Sequence, residues 1–155
     1  MYKIIVNCKC IEILLMKHKF VFLLFVLLLA CESNESPDLL PDVPVDFSIS
    51  LNLPQYQSLL VPGGYALANS QGLQGIVIYN VNNRQYKAFD LACPSQAVNS
   101  CIAMDVIDGI LLECSCDASR YSLLDGSPQQ DNPSFFAKEY SVIKTDANTL
   151  VIRNF

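Results

Sequence analysis

Four cysteines in the second half of this 155-residue chain are the side chains best suited to chemistry. Cys93 and Cys101 lie in "ACPSQAVNSC", and Cys114 and Cys116 in "ECSCDASRYSLLDG". Cysteines spaced this closely hold a metal or close disulfides. Four thiolates are the usual complement for structural zinc or a [2Fe–2S] cluster. Cys114 and Cys116, however, have one residue between them, whereas zinc sites favour two or more. As disulfides the four allow three connectivities, of which a 114–116 bridge is disfavoured by its small, strained ring. The single histidine, His18, lies far upstream, so no imidazole serves as ligand or base beside the cysteines. Asp117 and Ser119 therefore lack the base that a hydrolytic serine needs and read as a capped turn. A thiol–disulfide enzyme would carry C-x-x-C at a helix start, and this C-x-C follows a strand pattern.

The elements that must position these residues read as strands. Residues 45–53, "VDFSISLNL", alternate apolar and polar side chains, the period of a half-buried strand. Pro62-Gly63-Gly64 marks a turn. "GIVIYNVNNRQYKAFDLACP" reads as a hairpin in which Ile76 and Ile78 alternate and Asn82-Asn83 tolerates positive φ. "IAMDVIDGILLECSC" reads as a second, with Asp108-Gly109 as a type I′ signal. "YSLLDG" is a short strand running into a turn, and "KEYSVIKT" and "TLVIRNF" form a last pair joined by "DAN". "NPSFF" holds an aromatic pair, with core packing the default expectation and an exposed pair the alternative. No stretch sustains helical periodicity. Eight or nine short strands with regular turns predict an all-β fold, a small antiparallel β-sandwich or barrel with two cysteine-bearing loops.

The N-terminus has a different character. Residues 20–30 are wholly apolar, but eleven residues fall short of the roughly 20 that span a bilayer as a helix. Lys17 and Lys19 precede them, the layout of a secretory signal. Leu28-Leu29-Ala30-Cys31 resembles the lipobox of bacterial lipoproteins, which implies cleavage before Cys31 and a diacylglycerol on its sulfur. Residues 1–15 do not suit a signal, and the compact layout from Met16 points to that methionine as the true start. The expected organisation is a signal peptide over 1–30, a lipidated flexible tether over 31–44, rich in proline and acid, and a β domain over 45–155. From Cys31 onward the chain carries 14 acids against 6 bases, a formal balance of −8. With no Lys/Arg cluster, nucleic acid is excluded as a partner. An exported domain sits in an oxidising compartment, where four remaining cysteines favour disulfides.

The cysteine loops resemble those of the Rieske iron–sulfur domains, in which a first loop reads C-x-H and a second C-x-x-H. Cys114 takes the ligand cysteine position of the second box, Cys116 the bridging cysteine, Ser119 the serine, Tyr121 the aromatic and Gly126 the turn glycine. Cys93 and Cys101 take the ligand and bridging positions of the first box, after a longer loop. Pro133 falls at the family's proline loop. The resemblance covers residues 45–155 in layout and 88–142 in motif. It implies a Rieske-like fold and a Cys101–Cys116 bridge. Both histidine positions are changed, to Ser95 and Asp117, so the family's second iron loses its imidazoles. If the ligand pair closes on itself, Cys93–Cys114 becomes a second bridge.

Two functions follow from these residues. In the first, this is an exported lipid-anchored protein whose Rieske-like domain has a degenerate cluster site. It would be stabilised by disulfides, have no cofactor and serve a structural or binding role rather than an enzymatic one. In the alternative, it is a [2Fe–2S] electron-transfer protein ligated by Cys93, Cys114, Ser95 and Asp117. Either reading implies the bacterial cell envelope, on the exported side of the inner membrane. The membrane would be reached through the lipid on Cys31, and an envelope protein would be the partner.

Overall fold

A computed structural model describes residues 40–129 and 135–155. These belong to the compact unit Ser36–Phe155. The expected signal, Cys31, His18, most of the expected tether and Pro133 lie outside the described residues.

Among the described residues, nine strands form two antiparallel sheets. The larger comprises β1 (Asp46–Ser50), β2 (Tyr65–Ala68), β3 (Ile76–Asn80), β4 (Tyr86–Asp90), β8 (Glu139–Lys144) and β9 (Thr149–Arg153), in the order β1-β9-β8-β4-β3-β2. The smaller comprises β5 (Asp105–Ile107), β6 (Leu111–Glu113) and β7 (Arg120–Ser122), in that order. All-β, antiparallel architecture is as expected. The expected hairpins are present, with Asn80 opposite Tyr86 and Ile107 opposite Leu111. Asp108 and Gly109 have φ of 53° and 72°, the positive values that a type I′ turn requires at both positions.

Two elements were not anticipated. Pro54–Leu60 forms a 3-10 helix, with proline in its first turn where a missing N–H costs nothing. After the Pro62-Gly63-Gly64 turn, "YALA" forms β2. Its alternation is carried by alanines, too small to register as a hydrophobic period.

Each sheet face has its own core. Ile49, Leu51, Leu59, Ala66, Ile76, Ile78, Tyr86, Ala88, Tyr140, Leu150 and Ile152 form the first, to which all six strands of the larger sheet contribute. The second lies on the opposite face of β3 and β4, where Val77, Tyr79, Phe89 and Leu91 meet Leu112, Tyr121, Leu123 and three of the cysteines. The two central strands are thus covered on both sides. The half-buried alternation expected for "GIVIYN" is replaced by five consecutive buried residues, the pattern of a strand between two layers. Phe136 is also a correction. It is 65% exposed rather than packed in the core, with Phe135 half-buried beside it.

Candidate functional site: two cross-bridged loops

Each cysteine loop is tied at its base before any sulfur bonds. The first leaves β4 and returns at Met104, whose amide donates to the Leu91 carbonyl at 2.7 Å. Gln74 Nε2 donates to the Cys101 carbonyl at 2.8 Å. The second loop is tighter. Between β6 and β7, the Cys114 amide donates to the Ser119 carbonyl at 2.8 Å and the Ala118 amide to the Cys114 carbonyl at 2.9 Å. Ala118 takes a positive φ of 56° to complete this turn.

Just ahead of Cys93 lies a feature that sequence reasoning missed. Asp90 is fully buried, and its carboxylate accepts hydrogen bonds from the amides of Leu73 at 2.7 Å and Ala92 at 2.8 Å. The Tyr140 hydroxyl donates to it at 2.9 Å. Burying a carboxylate is costly unless hydrogen-bond donors meet it, and here the donors come from three separate segments. Tyr140 has its pKa raised well beyond the ordinary phenol range, by burial first and then by the Asp90 charge and hydrogen bond. It therefore remains the donor.

The loops then meet. Cys93 and Cys114 form one disulfide, with Cα atoms 5.6 Å apart, and Cys101 and Cys116 a second, at 6.0 Å. Cys101–Cys116 is the bridge that the family resemblance implies, and Cys93–Cys114 is the second bridge expected if the ligand pair closes on itself. Cys93, Cys101 and Cys114 are buried in the second core, whereas Cys116 is exposed. Ser95 and Asp117, at the two changed histidine positions, are also brought together: the Ser95 hydroxyl donates to Asp117 Oδ2 at 2.7 Å. Asp117 Oδ1 accepts the Ser119 amide at 2.9 Å.

This environment holds the Asp117 carboxyl at about 2. The Ser119 hydroxyl is the first cause. It lies close to the carboxylate, although buried and short of hydrogen-bond geometry with any group. Desolvation comes next and acts the other way, and the Ser119 amide, Ser95 and Gln96 follow with smaller lowering effects. A carboxylate this acidic is a weak base, and the Ser95–Asp117 pair acts as a clasp between loop tips. The other second-box residues pack as spacers. Tyr121 is buried in the second core, and Gly126 has a φ of +73° at a position where a Cβ would come within 2.8 Å of the Phe89 ring.

The donor set of the oxidised site does not fit a Rieske cluster. Such a cluster needs two free thiolates on one iron, and the sulfurs of Cys93 and Cys114 are bonded to each other. On the other side, the Ser95 and Asp117 oxygens at the changed histidine positions are hydrogen-bonded to one another.

No family model matches the chain, and no curated protein matches it. Some solved structures do. The ferredoxin of carbazole 1,9a-dioxygenase from Nocardioides aromaticivorans IC177 is 14% identical over 74% of this chain and 100% of its own, with a TM-score of 0.43. A protein described as the small subunit of an NADH-dependent nitrite reductase from Mycobacterium tuberculosis is 16% identical, over 74% and 98%, with a TM-score of 0.42. At such values neither likeness carries an argument about the chemistry of this chain.

Proposed function

We propose that this is an exported, lipid-anchored protein of the bacterial cell envelope whose head is a Rieske-like domain with its cluster site converted into a double disulfide clasp. Its role is structural or binding, with an envelope protein as partner. The observation that carries the reading is the Cys93–Cys114 bond, which joins the two residues aligned with the family's ligand cysteines. The Ser95–Asp117 hydrogen bond supports it, since it closes the gap left by the imidazoles with a contact that needs no metal. The anchor rests on Leu28-Leu29-Ala30-Cys31. Among the described residues no helix is long and apolar enough to cross a membrane.

Reconstitution with iron and sulfide tests the converted site. The oxidised protein is expected to take up no stoichiometric iron and to show no charge-transfer bands, and the appearance of both overturns the reading. Cys31→Ala tests the anchor separately. The variant should leave the membrane fraction, and retention there contradicts lipidation at Cys31.

A further inference from the structure

The two disulfides do not simply lie side by side. Cys101 Sγ sits 3.5 Å from Cys93 Sγ and 3.7 Å from Cys114 Sγ. All three sulfurs fall within 4.8 Å of one another, and the exposed Cys116 is not among them. Two thiolates sharing a tetrahedral metal at about 2.3 Å stand about 3.7 Å apart. Two edges of the sulfur triangle already have that length. The third is the Cys93–Cys114 bond itself, which opens when reduced.

The near-equal distances also set aside thiol exchange as the reason for the convergence. A thiolate displaces sulfur from a disulfide in line with the bond being broken. Cys101 Sγ lies beside the Cys93–Cys114 bond, facing both of its sulfurs. That is the position of a third ligand rather than of an attacking group. The scaffold beneath the sulfurs has ties besides the bridges. Leu91–Met104, Cys114–Ser119, Gln74–Cys101 and Ser95–Asp117 are all joined by hydrogen bonds in which no sulfur takes part.

We propose that in the reduced protein Cys93, Cys101 and Cys114 form a three-thiolate site for a soft divalent cation of the zinc class. Two equivalents of an external dithiol reduce the two bridges, supplying four electrons and four protons and leaving as two cyclic disulfides. The cation then displaces three protons, one from each thiol, and leaves a fourth position open to water. Cys116 remains a free thiol. This spacing avoids the one-residue separation that counts against Cys114 and Cys116 as joint ligands. Metal loading and disulfide formation become mutually exclusive states of one sulfur cluster. The inference goes beyond the proposed envelope role and rests on neither the anchor nor the family.

The test is alkylation mapped residue by residue on the purified full chain. The protein is reduced with dithiol, freed of it without oxygen and then treated with Zn2+ or Cd2+. Expected is metal-dependent protection of Cys93, Cys101 and Cys114, with Cys116 fully alkylated. Any other pattern among these four overturns the proposal, including protection of all four, which is how an unfolded chain would wrap the ion. Affinity for Cd2+ gives a second reading. Cys101→Ser should weaken it by at least about 100-fold, beyond the loss typical of a merely supporting residue. Cys116→Ser should change it less than about threefold, within the scatter of a residue that supports nothing. Equal losses in the two variants contradict the assignment.

Discussion

At the scale of single residues, two carboxylates with opposite surroundings fix the cysteine loops. Asp117 is exposed and held at about 2 by the Ser119 hydroxyl, the Ser119 amide and Ser95. Its folded pKa lies below the unfolded value of roughly 3.9. What it contributes to stability is therefore complete above that value and is lost as pH falls through about 2. A carboxyl-carbon NMR titration should find Asp117 near 2 and should move it upward in Ser119→Ala. An ordinary value in the parent protein contradicts the clasp. Asp90 is fully buried, and its role is larger. Removing its carboxylate strands the Leu73 and Ala92 amides and the Tyr140 hydroxyl, and each stranded buried group costs about 1–3 kcal/mol. Asp90→Ala should lose about 3 kcal/mol or more in chemical denaturation. A loss under about 1 kcal/mol, the net worth of one ordinary hydrogen bond, contradicts its place as the junction.

At the scale of elements, the turns carry the register that brings the loops together. Gly109 and Gly126 both have positive φ, but they differ in surroundings. A Cβ on Gly109 would meet open space, whereas one on Gly126 would come within 2.8 Å of Phe89 Cε1 and 3.2 Å of the Ala137 carbonyl oxygen. Gly109→Ala should therefore cost about 1 kcal/mol of backbone strain, and Gly126→Ala about 1–3 kcal/mol more from overpacking. Equal thermal shifts in the two variants would contradict this difference. The β5–β6 hairpin was legible because Asp108-Gly109 is a local signal, and the alternation of residues 45–53 found β1 for the same reason. The Asp90 junction was not legible, because Leu73 and Tyr140 stand 17 and 50 residues away and share no motif with it. Burial of β3 on both faces was hidden because its outer cover, the β5–β7 sheet, is a tertiary arrangement. The cysteine loops fall between these cases. Their residues and their likeness to a family were visible in sequence, but the Ser95–Asp117 contact emerges only when the loops are folded against each other.

At the scale of the whole molecule, the nine strands make two cores on either side of β3 and β4, and the second core ends in sulfur. The bridges close separations of 21 and 15 residues. Each contributes about 2–4 kcal/mol by restricting the unfolded chain, a large share of the roughly 5–15 kcal/mol typical of a small domain. Their place at the end of the core also explains how a site lacking imidazole keeps its loops in register. The central claim is that the four cysteines are consumed in two specific cross-loop bonds. Peptide mass mapping without reductant tests it most directly. The account predicts one cross-linked species joining Cys93 to Cys114 and Cys101 to Cys116, with none of the four alkylated. Four alkylatable thiols, or links pairing Cys93 with Cys101 or Cys116, would contradict it.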